Sequence, residues 1–506
     1  MQKENVSRGA AYLSIQNIIG YIFSFIFYLL IARVLSPTDV GKLSLLLMIS
    51  SIFVLTNPSI QFFLQRFIPI YIEKGKKKEL GDIIQAGLTV LVATSTPILI
   101  ILILSSSIIS TIIFGSTAET WLIIIMLLAS FGLNLVAFLG GEMLGLGLFK
   151  EIAIQNLLNT GTSRILAIPL VLFGFGLLGV PLGWLIGAMI TIGFSVYILR
   201  NDLKFKKGFP IKKVLAFCLP IHIFTIITFI QTWADLGILY ALAPDLSQIG
   251  VYYLVVSGAL ILAQIYIPIS MVILPALSSR YATDGLDGLL PMATIYIRMA
   301  YKILIPIGFS FAALSSTAIE VAFGQQYTSG AIPFAILAAA SIIPALLILI
   351  ITIFQSIGNT KPLIIIGITA SIVDILIVGI FASNLGGIAG AMGRTSFSIV
   401  GLIIGYYYLR KKIKLPIFVE LKKSLIATAS IATPLYIIDQ IMIQIINIPL
   451  RLRAPIDILL FIVLTLAFAY FTDYLTKEDF ELIKKPFPKK TTKIINRLEN
   501  IFLSKK

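Results

Sequence analysis

Long apolar runs separated by short polar stretches dominate the hydropathy pattern of this chain. The first run spans residues 11–35 and the second spans 43–67, with a break at Asn57 and Pro58. Each run exceeds the ~20 apolar residues that a helix needs to cross ~30 Å of hydrocarbon. The pattern therefore predicts that the chain begins with a transmembrane helical hairpin, which a cationic loop at 74–78 closes.

Twelve further runs of the same kind follow this hairpin. They are residues 83–106, 119–148, 152–174, 177–199, 214–242, 248–277, 291–315, 327–357, 363–382, 386–409, 424–447 and 455–475. The sequence thus predicts an all-α polytopic membrane protein with about fourteen transmembrane helices, arranged as six, six and two. The predicted segments are an N-terminal lobe (1–205), a C-terminal lobe (206–412), helices thirteen and fourteen (413–475) and a basic cytoplasmic tail (476–506).

Landmark residues of the first lobe return about 209 positions later, with a drift of up to two residues. The pairs are Gly41 with Gly250, Pro58 with Pro268, Pro97 with Pro306, Gly115 with Gly324, Gly147 with Gly358 and Lys150 with Lys361. An even number of helices in each repeat gives both repeats the same orientation, and substrate sites of such transporters lie at the repeat interface. The sequence therefore predicts a duplicated membrane protein.

Composition excludes a soluble globular protein. Of the 506 residues, 58% are hydrophobic and only 12% are charged, whereas soluble chains have about 25% charged residues. The net charge of +16 comes mainly from Lys and Arg in alternate short loops and in the tail. This distribution predicts a plasma-membrane protein in contact with anionic lipids, with both termini in the cytoplasm, and argues against nucleic acid as a partner.

Catalytic motifs are missing from the sequence. The pattern G-x-G-x-x-G occurs at 174–179, but it lies between two predicted membrane helices and not after a strand, so we interpret it as a turn. No Walker A loop, His-Glu-x-x-His or Asp-x-Asp motif occurs. The single cysteine, Cys218, excludes an intramolecular disulfide. We therefore expect no enzyme active site, no metal site and no cofactor.

Ionisable residues inside the apolar runs are the candidate functional residues. A charge at the bilayer centre costs about 2.5 to 3.5 kcal/mol and usually faces a cavity or a partner. Arg164 lies near the predicted midplane of helix five, and its repeat counterpart, within one residue, is Asp374 in helix eleven. The two can form an ion pair that closes one face of a cavity, or Arg164 can belong to a static packing pair.

Other cations lie nearer to helix ends. Arg298 and Lys302 are four residues apart on helix nine and share a face, which suits either a phosphate clamp or snorkelling to the inner headgroups. Arg33 and Arg66 lie at helix ends, where both snorkelling and substrate contact fit. Arg394, two turns into helix twelve, is a candidate for cavity lining.

Acidic residues in the runs are candidates for pairing with these cations or for carrying a coupling proton. Asp235 in helix seven and Glu142 in helix four are the main ones, because burial favours a protonated carboxyl group. Asp439 in helix thirteen lies outside the repeats and is a weaker candidate. We expect the only histidine, His222, to be a packed core residue.

Short motifs at the helix ends carry a family resemblance. They are Arg8-Gly9, Arg33 to Pro37, Val40-Gly41, Gln65 to Phe67, Gly145 to Lys150, Ser356 to Pro362 and Gly386 to Ala391. In their order and spacing, over nearly the whole chain, these motifs resemble the prokaryotic polysaccharide-biosynthesis flippases. That family belongs to the multidrug/oligosaccharidyl-lipid/polysaccharide exporter superfamily.

The resemblance implies two six-helix lobes around a cationic cavity that opens alternately to either side of the membrane. The implied substrate is a polyprenyl-phosphate- or diphosphate-linked oligosaccharide, which moves from the cytoplasmic to the outer leaflet. Arg164, Arg298 and Lys302 match the family's habit of cationic cavity residues rather than an invariant position. Asp374 and Arg394 stand where the family more often has uncharged residues.

Two other functions fit parts of the pattern. A cation-coupled multidrug antiporter of the same superfamily usually has fewer helices, and a cationic cavity suits organic cations poorly. A membrane glycan polymerase or glycosyltransferase generally needs a large outer loop or an acidic catalytic pair, and the sequence shows neither. Without a nucleotide-binding motif, we expect H+, Na+ or the membrane potential to drive transport by a monomer.

Overall fold

The computed structural model describes residues 6–55, 57–76, 79–200, 210–264, 267–418, 421–446, 448–472, 474 and 476. In this part of the chain nearly all residues are helical and none lies in a strand, which confirms the predicted all-α class. The chain forms two compact units, Met1–Tyr253 and Leu254–Lys506. The predicted lobe boundary at 205/206 and the tail beyond 476 lie outside the described residues, and the predicted lobes remain predictions.

Among the described residues, nine helices precede the helix that contains the boundary between the units. They are α1 (Val6–Val34), α2 (Pro37–Ser50), α3 (Asn57–Glu73), α4 (Leu80–Leu104), α5 (Ser106–Phe114), α6 (Thr120–Leu146), α7 (Phe149–Leu170), α8 (Gly179–Leu199) and α9 (Ile211–Leu242). The boundary helix is α10 (Leu246–Gln264). Among the described residues, a core of this unit brings α3, α4 and α6 together around Phe63, Ile84 and Phe138.

Nine helices follow the boundary helix in the part of the chain that the structure describes. They are α11 (Ile267–Asp284), α12 (Leu289–Ala313), α13 (Ser315–Phe323), α14 (Ala331–Ala339), α15 (Ile342–Ser356), α16 (Lys361–Leu385), α17 (Gly387–Arg410), α18 (Leu421–Gln444) and α19 (Leu450–Thr472). The core of the second unit lies mainly between α12, α15 and α17, with Ile297, Leu304 and Ile350 fully buried in it.

Ten described helical segments are long and apolar enough to cross a membrane, or eleven if the bent pair Gln325–Ala339 and Ile342–Ser356 is one span. The protein is therefore a multi-pass membrane protein. The predicted number of fourteen is not confirmed. The second predicted helix shows why a count by length falls short, because it breaks near Asn57 into α2, a short 3-10 turn and α3. Fourteen crossings stay a prediction that counts each such broken helix once.

Local structure repeats with the spacing found in the sequence. The helices α4 and α12 both have 25 residues, and each is followed by a helix of nine residues, α5 and α13. Gly115 and Gly324, at equivalent places after those short helices, have φ of 69° and 107°. Only glycine adopts such angles without strain. The repeated landmarks therefore mark the same breaks in both halves of the sequence.

The glycine landmarks Gly41 and Gly250 contact each other. A Cβ atom on Gly41 would lie 1.9 Å from the carbonyl oxygen of Leu246, and one on Gly250 would lie 1.9 Å from that of Pro37. Both helices begin next to this contact, so α2 and α10 approach each other backbone to backbone at their N-terminal ends. No side chain larger than hydrogen fits there without a shift of the backbone.

The stretch from Phe149 to Leu199 contains two packed helices, α7 and α8. Its glycines Gly183 and Gly187 face Ala167 and Ser163 so closely that a Cβ atom would lie 2.6 Å and 2.3 Å from the nearest atom. Small residues at this spacing allow membrane helices to pack closely. The G-x-G-x-x-G pattern forms the connection between them, with a φ of 98° at Gly174, and is a turn as predicted.

Candidate functional site

Arg164 lies on α7, which packs against α1 and α8. Its side chain is half-buried, and its guanidinium carbon lies 5.9 Å from the centre of the Phe27 ring. The Nη1 atom donates a long hydrogen bond of 3.5 Å to the carbonyl oxygen of Thr160. The Nε atom is buried without a hydrogen-bond acceptor among the described residues. The guanidinium therefore keeps donor capacity that the surrounding protein does not use.

Aromatic side chains form the surroundings of this guanidinium. Tyr28 and Tyr253 lie close enough to Arg164 to interact with its charge, and their hydroxyl groups are 2.8 Å apart. The Phe27 ring also packs against Trp184 of α8, with 6.5 Å between ring centres. Aromatic faces attract a cation without neutralising it. The surroundings thus hold Arg164 in place and leave its charge available to an anion.

Two predicted acidic residues are buried elsewhere in the N-terminal unit. Asp235 on α9 is 1% exposed and accepts a hydrogen bond from the hydroxyl group of Tyr252. Glu142 on α6 is fully buried. His222 is half-buried, with its Nδ1 atom 2.7 Å from the carbonyl oxygen of Leu55. The histidine thus contacts the backbone but is not fully buried, and its core role, like the roles of Asp235 and Glu142, stays a prediction.

The predicted cations at helix ends of this unit are exposed. Arg33 is exposed in the last turn of α1. Arg66 is exposed on α3, where its guanidinium carbon lies 5.9 Å from the ring centre of Phe67 and 5.4 Å from that of Phe217. Neither position decides between snorkelling and substrate contact, and both roles stay predictions.

Arg298 and Lys302 differ in burial although they share one face of α12. Arg298 is half-buried, whereas Lys302 is 6% exposed. The Lys302 ammonium lies 5.8 Å from the ring centre of Tyr474, which follows α19. The Tyr474 hydroxyl donates to the carbonyl oxygen of Lys302, over 3.1 Å, and also lies 3.2 Å from Oγ of Ser424 on α18. Lys302 thus faces the last two helices.

Asp374 and Arg394 belong to the hairpin of α16 and α17. Asp374 is 2% exposed, and a Cβ atom on Gly393 would lie 2.3 Å from its Oδ1 atom. Its carboxyl group is therefore held in the contact between these two helices. Arg394 is half-buried on α17. The pairing of Asp374 with Arg164 stays a prediction.

The structure adds polar residues that the sequence did not single out. Tyr28, Tyr253 and Tyr474 are hydrogen-bonded beside predicted cations. Arg453 on α19 lies among carboxyl groups of α13 and α18. The described residues contain no group of three or more His, Cys, Asp or Glu side chains that could hold a metal ion. The partly buried cations have the chemistry to bind an anion, and the buried carboxyl groups have the chemistry to bind a proton.

Sequence comparison gives one family match. Residues 6–280, more than half of the chain, match the family model described as polysaccharide biosynthesis protein. No curated protein sequence matches the chain.

Several solved structures share the fold. The lipid II flippase MurJ, in an inward closed conformation, is 17% identical with a TM-score of 0.68, covering 90% of this chain and 98% of the flippase. An inward-facing multidrug resistance MATE family transporter of the MOP superfamily is 16% identical with a TM-score of 0.67, covering 80% and 98%. A MOP superfamily transporter from Pyrococcus furiosus, described by the reverse polarity of its binding pocket, is 15% identical with a TM-score of 0.56, covering 81% and 98%. These three are transport proteins, and their likeness to this chain shows the fold.

Proposed function

Since the chain belongs to the polysaccharide biosynthesis protein family and has the fold of flippases and transporters, we propose that it flips a polyprenyl-linked oligosaccharide across the plasma membrane. In this proposal the protein acts as a transporter and not as an enzyme. The sugar and its phosphate or diphosphate would move from the cytoplasmic to the outer leaflet by alternating access, for surface polysaccharide or glycoprotein glycan synthesis. One chain would suffice, with both termini in the cytoplasm.

The state of Arg164 is the observation that carries this proposal. Its guanidinium is half-buried beside aromatic rings, and its Nε atom has no acceptor among the described residues. Taking such a charge out of water without a partner is costly. An anionic phosphate would satisfy the remaining donors, because guanidinium matches phosphate with a forked pair of hydrogen bonds. A substrate without an anionic group would leave that cost in place.

The other cations would serve along the path of the headgroup. We assign to Arg298, with its half-buried side chain, a second contact with phosphate, and to Lys302 a supporting charge on the same face of α12. Arg33, exposed in the last turn of α1, and Arg66, exposed within α3, would meet the headgroup on entry or release. Arg394 would line the cavity from α17.

The lipid tail would remain outside the cavity. A shallow groove at the start of α18 is lined by Phe418, Leu421, Leu425, Ile426 and Ala429, with Lys422 among them. We propose this groove for the first isoprene units of the polyprenyl chain, because its apolar lining suits hydrocarbon. The ammonium of Lys422 would then lie near the phosphate at the membrane surface.

A carboxyl group would carry the coupling ion, either H+ or Na+. The buried acids Asp235, Asp374 and Glu142 are our candidates, since each is at most 2% exposed. Binding a cation removes the cost of a buried negative charge. Loading and release would then bias the transporter between its two states.

The rival antiporter function is less well supported. The lipid II flippase covers 90% of this chain, whereas the multidrug transporter covers 80%, so a larger part of the chain has a counterpart in the flippase. A cation beside aromatic rings also repels the organic cations that a multidrug antiporter would carry. The first argument favours a flippase, and the second favours an anionic substrate.

Reconstitution of the purified full-length protein into vesicles tests the proposed function. A short-chain polyprenyl-diphosphate oligosaccharide with a fluorescent sugar reports flipping when a membrane-impermeant quencher reaches label from the inner leaflet. We expect protein-dependent access to that label and no efflux of a cationic dye. Dye efflux along an ion gradient without lipid movement would instead establish the antiporter, and newly formed glycosidic bonds would establish a polymerase.

A further inference from the structure

A buried charged cluster joins α13, α18 and α19 in the C-terminal unit. The Nη2 atom of Arg453 lies 3.0 Å from Oε2 of Glu320, and its Nε atom lies 3.5 Å from Oδ1 of Asp439. Thr317 donates a hydrogen bond of 2.8 Å to the same Asp439 oxygen. Asp457, one helical turn after Arg453, is the next neighbour of Asp439. Four ionisable groups therefore meet near the ends of α18 and α19 that the 444–450 connection joins.

The charges in this cluster do not balance. Glu320 of α13, Asp439 of α18 and Asp457 of α19 are the acidic groups that face it, and Arg453 is the cation. The side chains of Arg453 and Asp439 are 8% and 1% exposed, and that of Glu320 is 23% exposed. Solvent therefore reaches only Glu320 appreciably. Fully ionised, the buried part would hold two carboxylates against one guanidinium, and an uncompensated buried charge is strongly destabilising.

The surroundings of Asp457 indicate that a proton supplies the missing positive charge. Its side chain is 1% exposed, and neither of its carboxyl oxygens receives a hydrogen bond from a donor group among the described residues. Its carboxyl group nevertheless lies within hydrogen-bonding range of the Asp439 carboxyl group. Two ionised carboxylates have no hydrogen to share, so a contact between them needs a proton on one oxygen.

We propose that Asp439 and Asp457 form a proton-binding site in which the two carboxyl groups share one proton. With that proton bound, the pair carries one negative charge, which Arg453 neutralises. The ligand is a proton, because a hydrogen bond between two carboxyl groups requires one. This site uses none of Asp235, Asp374 and Glu142, and its proton binding can be measured without the proposed substrate.

Loss of the proton changes the packing of three helices. Two negative charges would then face each other across α18 and α19, while Arg453 can compensate only one of them. The repulsion favours an arrangement in which α19 moves away from α18 or water enters between them. If the chain is a flippase as proposed, the site makes H+ the ion that biases the last two helices during transport.

Infrared difference spectroscopy of the purified full-length protein in lipid nanodiscs tests the site. Between about pH 5 and pH 9, a shared proton gives a carboxyl C=O band that disappears as the proton leaves. We expect this band in the wild type and its loss in Asp457→Asn and in Asp439→Asn. The matched control is Asp284→Asn, which removes an exposed carboxylate paired with Arg280 in the same unit, and we expect it to keep the band. A band of unchanged size in both pair variants would overturn the proposal.

Proton uptake by the same samples separates a proton site from a fold that simply fails. The wild type is expected to bind about one more proton per molecule across this range than Asp457→Asn. Asp457→Glu keeps a carboxyl group and should restore the extra proton if the variant folds with wild-type helix content. Equal uptake by the wild type and a folded Asp457→Asn would overturn the site. A lipid-flipping failure with the proton still bound would count against the proposed function alone.

Discussion

Arg164 combines a formal charge, partial burial and an unused hydrogen-bond donor in one side chain. Two other candidate cations, Lys302 and Arg66, differ from Arg164 in burial. All three lie against aromatic rings, but Lys302 is more deeply buried and Arg66 is exposed. A partly desolvated guanidinium gains most from an added anion. We therefore expect substrate binding to depend more on the charge of Arg164 than on that of the other two cations.

Replacement of Arg164 in cells provides a direct test at this scale. We expect Arg164→Gln to reduce export of the surface glycan roughly tenfold or more, because a hydrogen bond to a charged group contributes about 1.5 to 3 kcal/mol. Arg164→Lys keeps the charge without the forked geometry and should retain part of the export. Export is measured from cell-surface glycan at matched protein levels.

The control for this experiment is another arginine beside an aromatic ring. Arg200 is exposed, with its guanidinium carbon 4.4 Å from the ring centre of Tyr197, and Arg200→Gln should leave export near the wild-type level. If Arg164→Gln exported glycan at the wild-type level, Arg164 would not be a phosphate-binding residue.

At this scale the sequence identified charges but not their partners. Arg164, Arg298 and Lys302 stand out because charges are rare in apolar runs. Their neighbours do not, since Tyr474 is 172 positions from Lys302 and only the fold brings them together. The pairing of Asp457 with Asp439 is equally hidden in the sequence, because the two acids belong to different apolar runs.

At the level of the elements, α2 and α10 approach each other backbone to backbone at their starts. Gly41 and Gly250 were recognised from the sequence as equivalent positions of a repeat, but the spacing of landmarks cannot show that the two residues touch. The helix breaks were predictable, because Asn57-Pro58 and the glycines after α5 and α13 leave local signals. A close approach of two backbones leaves no signal in the sequence except a glycine at each contact position.

A single methyl group at Gly41 tests that contact. We expect Gly41→Ala to lower the free energy of unfolding by about 1 to 3 kcal/mol, because its Cβ atom would overlap backbone and cannot be accommodated by a side-chain rotation. The measurement is thermal unfolding of the purified protein, followed by helix content. Gly193→Ala is the control, since Gly193 lies within α8 with open space around its Cβ position. There the change should be neutral or stabilising by about 0.5 to 1 kcal/mol, and an equal loss in both variants would contradict the packing argument.

For the whole molecule, the family and the fold class were predictable and are confirmed. A long apolar run in the membrane is predictably helical, because in hydrocarbon a single segment can satisfy its backbone hydrogen bonds only as a helix. The number of membrane crossings was harder to predict from the sequence, because one apolar run can fold into two helices, as α2 and α3 do. The substrate depends on a few charges whose geometry is tertiary, so the sequence supported a class of ligand and no more.

The most direct test of the flippase account compares two lipid-linked sugars that differ only in charge. Vesicles containing the wild-type protein or Arg164→Gln receive a polyprenyl-diphosphate oligosaccharide or a neutral polyprenyl glycoside with the same sugar and chain length. The account predicts that the wild type flips the diphosphate-linked sugar roughly tenfold faster or more, and that Arg164→Gln loses most of this preference. Equal flipping of both lipids by the wild-type protein would contradict it.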